Sequence, residues 1–310
     1  MSDRGAVLVT GANGFVGRAV IAHLLRWEGR GERPVFAGLR DTACDVPEGA
    51  GKLLMGDLAA PGGRAAVLAG VDCVVHCAAR AHILSDDAAD PLAVFRTVNR
   101  DATLALARDA AEAGVRRFVF ISSIGVNGTQ TRGTPSRYDD PPAPASPYAV
   151  AKHEAEEGLT VLMRETGLEC VVIRPPLVRG PEAPGNLGRL QALLASGVPV
   201  PFASITENAR DFVSRDNLAS LIATTIDHPA APSQTFLASD GASLSTVALL
   251  REEAARLGVS CRLFPFPPGL LKRALASVGR GAMAEQLLGD LTVDVAHTRE
   301  TLGWNPEVQE

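Results

Sequence analysis

Short apolar runs alternate with longer segments of helical periodicity along the first half of the chain. The runs are rich in valine and other strand-forming residues, and we predict strands at Ala6–Thr10, Pro34–Leu39, Lys52–Met55, Cys73–Cys77, Phe118–Ser122 and Cys170–Arg174. Strands that are apolar throughout, rather than at alternate positions, are typical of a parallel sheet covered by helices on both faces. The pattern therefore predicts an α/β fold with a doubly wound parallel sheet.

Helices are predicted in three of the intervals between these strands. Phe15–Trp27 carries apolar residues at helical spacing, and Pro91–Ala113 is rich in alanine and leucine. Pro147–Glu165 has the clearest boundaries, because Ser146 suits the N-cap, proline occupies the first helical position and Gly167 follows the end. Residues of these types satisfy or tolerate the unpaired backbone groups at helix ends.

The sequence changes in character after Pro175. Prolines cluster there and the helical patterns become short, which predicts a smaller lobe over the carboxyl edge of the sheet, where such folds bind ligands. The polar stretch Thr129–Pro147 is predicted to be a loop that orders over a ligand. Leu270–Arg280 is mildly amphipathic and basic, which favours a packed helix of the lobe and leaves a membrane-surface role as the alternative.

Composition narrows the class of protein. The chain of 310 residues has a net charge of −5, so it offers no overall basic field to a nucleic-acid backbone or an anionic lipid. Its five cysteines are scattered without metal-ligand spacing, which favours reduced core thiols and no metal site. The apolar run before Gly11 is too short for a secretory leader, and no apolar stretch is long enough to cross a bilayer, so we expect a cytoplasmic protein.

A glycine-rich turn joins the first predicted strand to the first predicted helix. Gly11 allows the tight turn, Gly14 lets the backbone approach a pyrophosphate, and Gly17 lets the helix pack against the strand. The helix N-terminus then supplies free N–H groups for the phosphates. This arrangement predicts a Rossmann-type dinucleotide site lined by Gly11, Asn13, Gly14, Phe15, Val16 and Gly17.

The ends of the second and third strands bear on the identity of the dinucleotide. An acidic residue after the second strand would bind the ribose 2′-hydroxyl of NAD, whereas an arginine would pair with the 2′-phosphate of NADP. Arg40 stands at this position and favours NADP(H); the alternative is NAD(H), with Asp41 on the ribose and Arg40 in solvent. Asp57, followed by Leu58, is placed to accept a hydrogen bond from the adenine amino group.

Tyr148 and Lys152 lie four residues apart at the start of the third predicted helix, so their side chains share one face. A phenol with an ordinary pKa of ~10 is a poor base at neutral pH. A nearby ammonium and an oxidised nicotinamide stabilise the phenolate, which lowers that pKa and makes the phenol a usable acid and base. Ser122 and Ser123 end the preceding strand close to this point, where a hydroxyl can donate to a substrate oxygen.

Together these motifs resemble those of the extended short-chain dehydrogenase/reductase family. The likeness covers essentially the whole chain and rests on the glycine turn Gly11–Gly17, Ser123 at a strand end, the Tyr148–Lys152 pair and the tail Leu302–Trp304. Nucleotide-sugar epimerases, dehydratases and 4-keto reductases belong to this family. The resemblance implies a smaller C-terminal substrate-binding lobe beside the Rossmann domain, with the dinucleotide bound by residues 1–175 and about 212–238 and the nucleotide sugar by 176–211 and 239–310.

The resemblance also implies a role for each matching residue. Tyr148 would be the general acid and base on the sugar oxygen, and Lys152 would hold the nicotinamide ribose and tune Tyr148. Ser123, rather than Ser122, would be the catalytic hydroxyl on the substrate, and Asn99 would support the lysine. The further cofactor contacts that it implies are Ala78, Ala79, Ser122 and Pro175.

For the substrate, the resemblance implies a nucleotide-diphosphate sugar held by Asn186, Leu187 and Arg210. An arginine suits this role because the guanidinium fork matches phosphate oxygens. The resemblance also implies a homodimer built from the helices at Pro91–Ala113 and Pro147–Glu165.

Two departures from the family bear on the reaction. Family dehydratases carry an Asp-Glu pair after the strand-end hydroxyl, but Ile124 and Gly125 follow Ser123, which argues against dehydration. Galactose epimerases have an asparagine and a tyrosine at the positions of Leu177 and Asn127, which argues against epimerisation of that substrate.

We therefore expect NADPH-dependent 4-keto reduction of a UDP-hexose or its 6-deoxy derivative. One alternative is a UDP-hexose 4-epimerase with tightly bound NAD, which the overall likeness to epimerases favours. Another is reduction of a different ketone, such as a flavonol-like or steroid-like one. A catalytically inactive dinucleotide-binding sensor is disfavoured, because Tyr148, Lys152 and Ser123 are all present.

Overall fold

The computed structural model of the protein describes residues 5–28, 31–60, 63–81, 90–131 and 133–307. Its strands are β1 (Ala6–Thr10), β2 (Val35–Leu39), β3 (Gly51–Leu54), β4 (Val71–His76), β5 (Arg117–Ile121), β6 (Glu169–Arg174), β7 (Leu177–Arg179), β8 (Phe212–Ser214) and β9 (Thr235–Leu237). Seven of them form one parallel sheet in the order β3-β2-β1-β4-β5-β6-β9, and β7 pairs with β8 in a small separate sheet. The order of the large sheet changes sense between β1 and β4, which opens a crevice at their carboxyl ends.

The predicted doubly wound parallel sheet is confirmed, and six of its strands lie where the apolar pattern places them. The prediction of full burial is wrong for β3, which forms the edge of the sheet and exposes 58% of Leu54. Only β2 pairs with it, so the other side of β3 has no strand to cover it. The sequence pattern misses β9, because a run of three residues is too short to stand out.

Helices cover both faces of the sheet. Those of the described ranges are α1 (Phe15–Arg26), α2 (Pro91–Phe95), α3 (Ala102–Glu112), α4 (Pro147–Thr166), α5 (Gly185–Ala195), α6 (Arg215–Asp227), α7 (Thr246–Arg256), α8 (Pro268–Ser277), α9 (Gly281–Leu288) and α10 (Ala296–Leu302). Apolar residues of α1 and α6 pack on one face of the sheet. Those of α3 and α4 pack on the other face, so the catalytic candidates on α4 rest on a rigid support.

The helix predicted at Pro91–Ala113 is not continuous, which corrects that expectation. Arg96–Asp101 forms a π-helical segment between α2 and α3. Asn99 in this segment is fully buried and reaches the backbone of Arg80, donating from Nδ2 to its carbonyl at 2.9 Å and accepting from its N–H at 2.8 Å. Because these partners lie on a loop outside the helix, the spacing of apolar residues along the sequence does not predict the π-helical turn.

The smaller lobe has an apolar cluster of its own. Leu194 of α5, Leu250 of α7 and Leu271 of α8 meet in it, together with Phe202 from the connecting loop. Among the described helices, none combines the length and apolar character needed to cross a lipid bilayer. The residue boundaries of the two predicted domains stay a prediction.

The loop predicted at Thr129–Pro147 is held by the C-terminal part of the chain. The Thr131 N–H donates to the carbonyl of Asp290 at 2.8 Å, and Ser136 forms a parallel bridge with Val293. Arg132 of this loop lies outside the described residues. The described part of the loop thus has contacts of its own within the chain, and its ordering over a ligand stays a prediction.

Candidate active site

The predicted cofactor residues gather at one edge of the sheet, because each follows the carboxyl end of a parallel strand. They are Gly11 after β1, Arg40 after β2, Asp57 after β3, Ala78 after β4, Ser122 after β5 and Pro175 after β6. Parallel strands bring these ends together even though the residues are far apart in sequence. The glycine turn and Ala78 flank the crevice between β1 and β4.

The glycine turn fits a dinucleotide pyrophosphate. A β-carbon on Gly17 would stand 2.2 Å from the carbonyl oxygen of Gly11, and one on Gly11 would stand 2.7 Å from the backbone nitrogen of Ala78. Gly14 occupies the N-cap of α1 and has no side chain that could bond to the first N–H groups, and the first turn of α1 contains no acidic residue. The first N–H groups of the helix therefore remain available to an anion.

The other residues of the turn contribute in different ways. Phe15 packs beneath Gly180, and the guanidinium carbon of Arg215 lies 5.4 Å from its ring centroid. Val16 packs against the apolar core. Only the side chain of Asn13 is exposed, with its amide 3.6 Å from the Cys44 sulfur. Phe15 and Val16 would thus meet a cofactor through their backbone.

Substitution of Gly17 by alanine tests the cofactor cradle. We expect Gly17→Ala to abolish dinucleotide binding in a fluorescence titration, because its β-carbon cannot fit against the Gly11 carbonyl without moving the turn. Gly281→Ala is the matched control, since no heavy atom lies within 4 Å of the added methyl group. Equal binding by the two variants would show that the turn does not hold the cofactor.

At the end of β2, Arg40 and Asp41 are both exposed but differ in their partners. One Asp41 carboxylate oxygen accepts from the backbone N–H of Ala43 at 2.9 Å and so caps its own turn. No side-chain hydrogen bond or ion pair holds Arg40 among the described residues. Asp57 resembles Asp41, because its carboxylate accepts from the N–H of Ala59 at 3.0 Å. Leu58 beside it is half-buried against the core.

Tyr148 and Lys152 occupy the first turns of α4, which begins at Pro147 behind the Ser146 cap as predicted. The Lys152 Nζ atom lies 6.0 Å from the Tyr148 ring centroid. It donates to the carbonyl of Ile121 at 2.7 Å and lies 4.4 Å from the centroid of Phe120. The phenol ring is half-buried and packs edge-on against Phe95. The pair therefore shares one face of the helix beside the end of β5.

Burial sets the protonation of both groups. It raises the pKa of the Tyr148 phenol to about 12, so the hydroxyl carries its proton at neutral pH. It lowers the pKa of the Lys152 ammonium to about 8. The negative charge of Glu156 opposes this shift, because it favours the charged form of the lysine. At neutral pH the lysine is still charged, and the pair is a phenol beside an ammonium.

The Lys152 titration predicts a pH profile. Catalysis that needs the ammonium is fully present below the pKa of about 8 and is lost as the pH rises through that value. We expect kcat/KM of the wild type to fall in this range and Lys152→Met to have low activity without this limb. Lys272→Met, on an exposed helix, is the control. A wild-type profile that stays flat to about pH 10, where an ordinary lysine titrates, would contradict the assignment.

A chain of buried hydrogen bonds ties Asn99 to the cofactor edge. The Thr103 hydroxyl donates to the Asn99 carbonyl at 2.9 Å and lies 3.0 Å from His76 Nε2. Nε2 therefore carries the imidazole proton, and Nδ1 accepts from Thr10 at 2.7 Å. Burial lowers the pKa of His76 to about 3, which keeps the ring neutral. The Thr10 oxygen in turn accepts from the Ala78 N–H at 3.4 Å.

The two serines after β5 differ in what they contact. The buried Ser122 hydroxyl donates to Glu156 of α4, which also forms an ion pair of 2.6 Å with Arg174 at the end of β6. Ser123 caps a short 3₁₀ turn, its oxygen accepting from the Gly125 N–H at 3.1 Å. The hydrogen of the Ser123 hydroxyl is thus left to donate elsewhere, whereas Ser122 would reach a cofactor through its backbone alone.

The predicted substrate residues lie in the lobe around the start of α5. The Leu187 side chain is 2% exposed and packs with Phe212, so a substrate would meet this residue through its backbone, and its role in substrate binding stays a prediction. Asn186 donates to Gln286 at 2.6 Å, while its carbonyl oxygen is buried without a partner in the described structure. Arg210 donates to the carbonyl of Gly289 at 3.1 Å, and burial lowers the pKa of its guanidinium.

Sequence reasoning misses several side chains that build this site. Five side chains support the predicted residues through buried contacts, namely those of His76, Phe95, Thr103, Glu156 and Arg174. Glu156 had a usable signal, since it lies four residues beyond Lys152 on the same helix face. The partners of the others come from distant parts of the chain, which spacing does not reveal.

Comparison with known proteins agrees with this picture of a dinucleotide-dependent enzyme. The family model described as "NAD dependent epimerase/dehydratase family" matches residues 7–237. A UDP-glucose 4-epimerase of Vibrio cholerae is 41% identical over 303 residues, which span 97% of this chain and 90% of that protein. A dihydroflavonol 4-reductase of Zea mays is 30% identical over 291 residues, or 85% of this chain and 78% of the relative.

Solved structures show the same fold at lower identity. The UDP-glucose 4-epimerase of Thermotoga maritima, crystallised with UDP-glucose, matches with a TM-score of 0.76 at 21% identity and covers 98% of this chain and 94% of that one. The resemblance inferred from the sequence motifs is confirmed. The chain belongs to the NAD-dependent epimerase/dehydratase family and is an enzyme of the extended short-chain dehydrogenase/reductase type.

Proposed function

We propose that the protein transfers a hydride at C4 of a UDP-sugar and works as a 4-keto reductase with NADPH. The observation that carries the proposal is the Tyr148–Lys152 pair, with the Lys152 Nζ 6.0 Å from the Tyr148 ring centroid at the edge of the sheet that holds the glycine turn. A proton donor and a hydride site at one edge are the two requirements of carbonyl reduction.

The reaction divides the work among three side chains of this enzyme. NADPH, when bound, supplies the hydride from its nicotinamide ring. Tyr148 donates its proton to the ketone oxygen as negative charge develops there, and Ser123 donates a second hydrogen bond to the same oxygen. Lys152, held by the Ile121 carbonyl, stabilises the phenolate that Tyr148 becomes.

Two features favour the reductive direction with NADPH. Burial raises the pKa of Tyr148 to about 12, so at neutral pH the phenol is in the form that donates a proton. Arg40 is exposed just after β2, where the adenosine ribose is expected, while Asp41 is occupied by its own turn. A guanidinium there pairs with the 2′-phosphate, which only NADP(H) carries.

Substitution of Arg40 tests the cofactor preference. We expect Arg40→Ser to lower kcat/KM for NADPH by about 10- to 100-fold, the worth of a lost charge-assisted contact, and to leave kcat/KM for NADH unchanged. The NADH value serves as the internal control for folding. An equal loss with both nucleotides, or none with NADPH, would show that Arg40 does not read the phosphate.

The proposal that the substrate is a nucleotide sugar is supported by Arg210 and by the residues at the start of α5. Arg210 is a desolvated guanidinium that gains by pairing with a diphosphate. The buried carbonyl oxygen of Asn186 lacks a donor, and a ligand N–H or hydroxyl would satisfy it. The names of the Vibrio cholerae and Thermotoga maritima proteins support a UDP-sugar. Assembly as a homodimer and a cytoplasmic location stay predictions.

A UDP-hexose 4-epimerase is the second candidate, favoured by the name of the relative with 41% identity. The two reactions differ in the fate of the nucleotide, because epimerisation returns the hydride to the sugar and reduction consumes NADPH. The test is to purify the protein, identify any bound nucleotide, and supply UDP-galactose or a UDP-4-keto-6-deoxyhexose with NADPH. We expect turnover of the keto sugar only; conversion of UDP-galactose by protein carrying tight NAD would establish the epimerase.

A further inference from the structure

One region of the lobe concentrates basic charge in an otherwise acidic protein. Residues 254–284 contain no aspartate or glutamate, while the whole chain has a net charge of −5. The basic residues of this region are Arg256, Arg262, Lys272, Arg273 and Arg280. Arg256 is paired with Glu253, whereas the other four are exposed and form no ion pair with the described residues. Their charge is therefore open to solvent and available to a partner.

The same region exposes large apolar side chains. Leu270 is 52% exposed, Val278 65%, Phe264 42% and Leu257 41%. These four are half of all the large hydrophobic residues exposed in the described part of the chain, although the region is a small part of it. Basic and apolar groups that share one solvated surface are the combination that interfacial helices present to a bilayer.

Helix α8 carries Leu270 and two of the four exposed basic residues. Leu271 and Leu275 attach it to the apolar cluster of the lobe, and every other residue of the helix is exposed. The prediction of a packed lobe helix is thus satisfied along one narrow stripe. Leu270, Lys272 and Arg273 lie within four consecutive positions and are all exposed, so an apolar group and two basic groups share the solvated side of the helix.

We propose that this basic apolar surface, formed by α8 with Phe264, Val278 and Arg280, binds the surface of an anionic lipid bilayer. Charge complementarity selects the occupant, since unpaired arginine and lysine side chains attract anionic headgroups. The apolar side chains then enter the boundary between the lipid headgroups and the acyl chains, where an aromatic ring is well accommodated; they are Phe264, Leu270 and Val278. The lobe that holds the candidate substrate residues would rest against the membrane.

Vesicle flotation with the full-length protein tests this surface. We expect it to float with vesicles of about 70% phosphatidylcholine and 30% phosphatidylglycerol, to stay behind with phosphatidylcholine alone, and to be released by salt. Lys272→Glu/Arg273→Glu should weaken binding at least about 25-fold, at about fivefold for each basic residue removed. Leu270→Ser should weaken binding further at raised salt, where the apolar contact remains. Its exposure means that the fold does not depend on it.

Arg26→Glu/Arg108→Glu is the matched control, because it changes the net charge equally at exposed positions on α1 and α3. We expect it to bind vesicles like the wild type, and thermal melting to show all variants folded. The proposal is overturned if the wild type ignores anionic vesicles or binds both compositions equally. It is also overturned if the control loses binding as the α8 variant does, or if the surface instead pairs two copies in solution and leaves none to float.

Discussion

Tyr148→Phe should reduce kcat about 10²- to 10⁴-fold while leaving the melting temperature and NADPH binding unchanged. The phenol is the only group that the proposed reaction uses as a proton donor. Removing its oxygen leaves the ring against Phe95, so the packing of α4 is retained. Steady-state kinetics with a 4-keto sugar and NADPH measure the loss, and a nucleotide titration shows that the cofactor site is intact.

The chain supplies a matched control for this experiment. It contains only two tyrosines, and the second, Tyr138, stacks on His297 with ring centroids 3.8 Å apart. Tyr138 contributes its backbone carbonyl to the Arg174 network, which Tyr138→Phe preserves. We expect this variant to retain wild-type turnover. A Tyr148→Phe enzyme as active as Tyr138→Phe would remove the basis of the mechanism.

Glu156→Gln should destabilise the fold by about 3–5 kcal/mol, because it leaves the buried guanidinium of Arg174 without its counter-charge. Both side chains are less than a tenth exposed, and Arg174 bonds to Glu156 through two nitrogens at 3.1 and 2.6 Å. Removing a charge from one partner costs more than the pair contributes, since the other stays desolvated. The melting temperature should fall by about 10 °C at 2–4 °C per kcal/mol.

Glu157→Gln provides the comparison on the same helix. Glu157 is 67% exposed, and its one ion pair among the described residues is a contact of 3.7 Å with His153, so its loss should shift the melting temperature little. Denaturant unfolding of the two variants isolates the effect of burial from that of the substitution itself. If Glu156→Gln is as stable as Glu157→Gln, the ion pair does not support the site.

The parts of the site that the sequence predicts are those specified by local rules. The glycine turn is local because the atoms that leave no space for a β-carbon on Gly11 or Gly17 lie within seven residues or after one neighbouring strand. The start of α4 is equally local, since Ser146 accepts from the N–H of Ala149 and proline fills the first position. These two features are enough to predict that Gly17, Tyr148 and Lys152 lie at one edge of the sheet.

The rest depends on contacts between distant segments. β7 pairs with β8 only through residues more than thirty positions apart, and each strand has just three residues. Asn99 lies in a π-helical segment whose partner is the backbone of Arg80, which no helical period encodes. Glu156 and Arg174 are ordinary charged residues in the sequence, and only folding reveals that they are buried together.

Isotope transfer tests the central claim most directly. NADPH with deuterium at both positions of the nicotinamide C4 would be incubated with the enzyme and a UDP-4-keto-6-deoxyhexose, and the product sugar examined by NMR and mass spectrometry. We expect one deuterium at C4 of the sugar for each NADP⁺ formed. An unlabelled product, or interconversion of C4 epimers with no NADPH consumed, would contradict the account of this enzyme as a reductase.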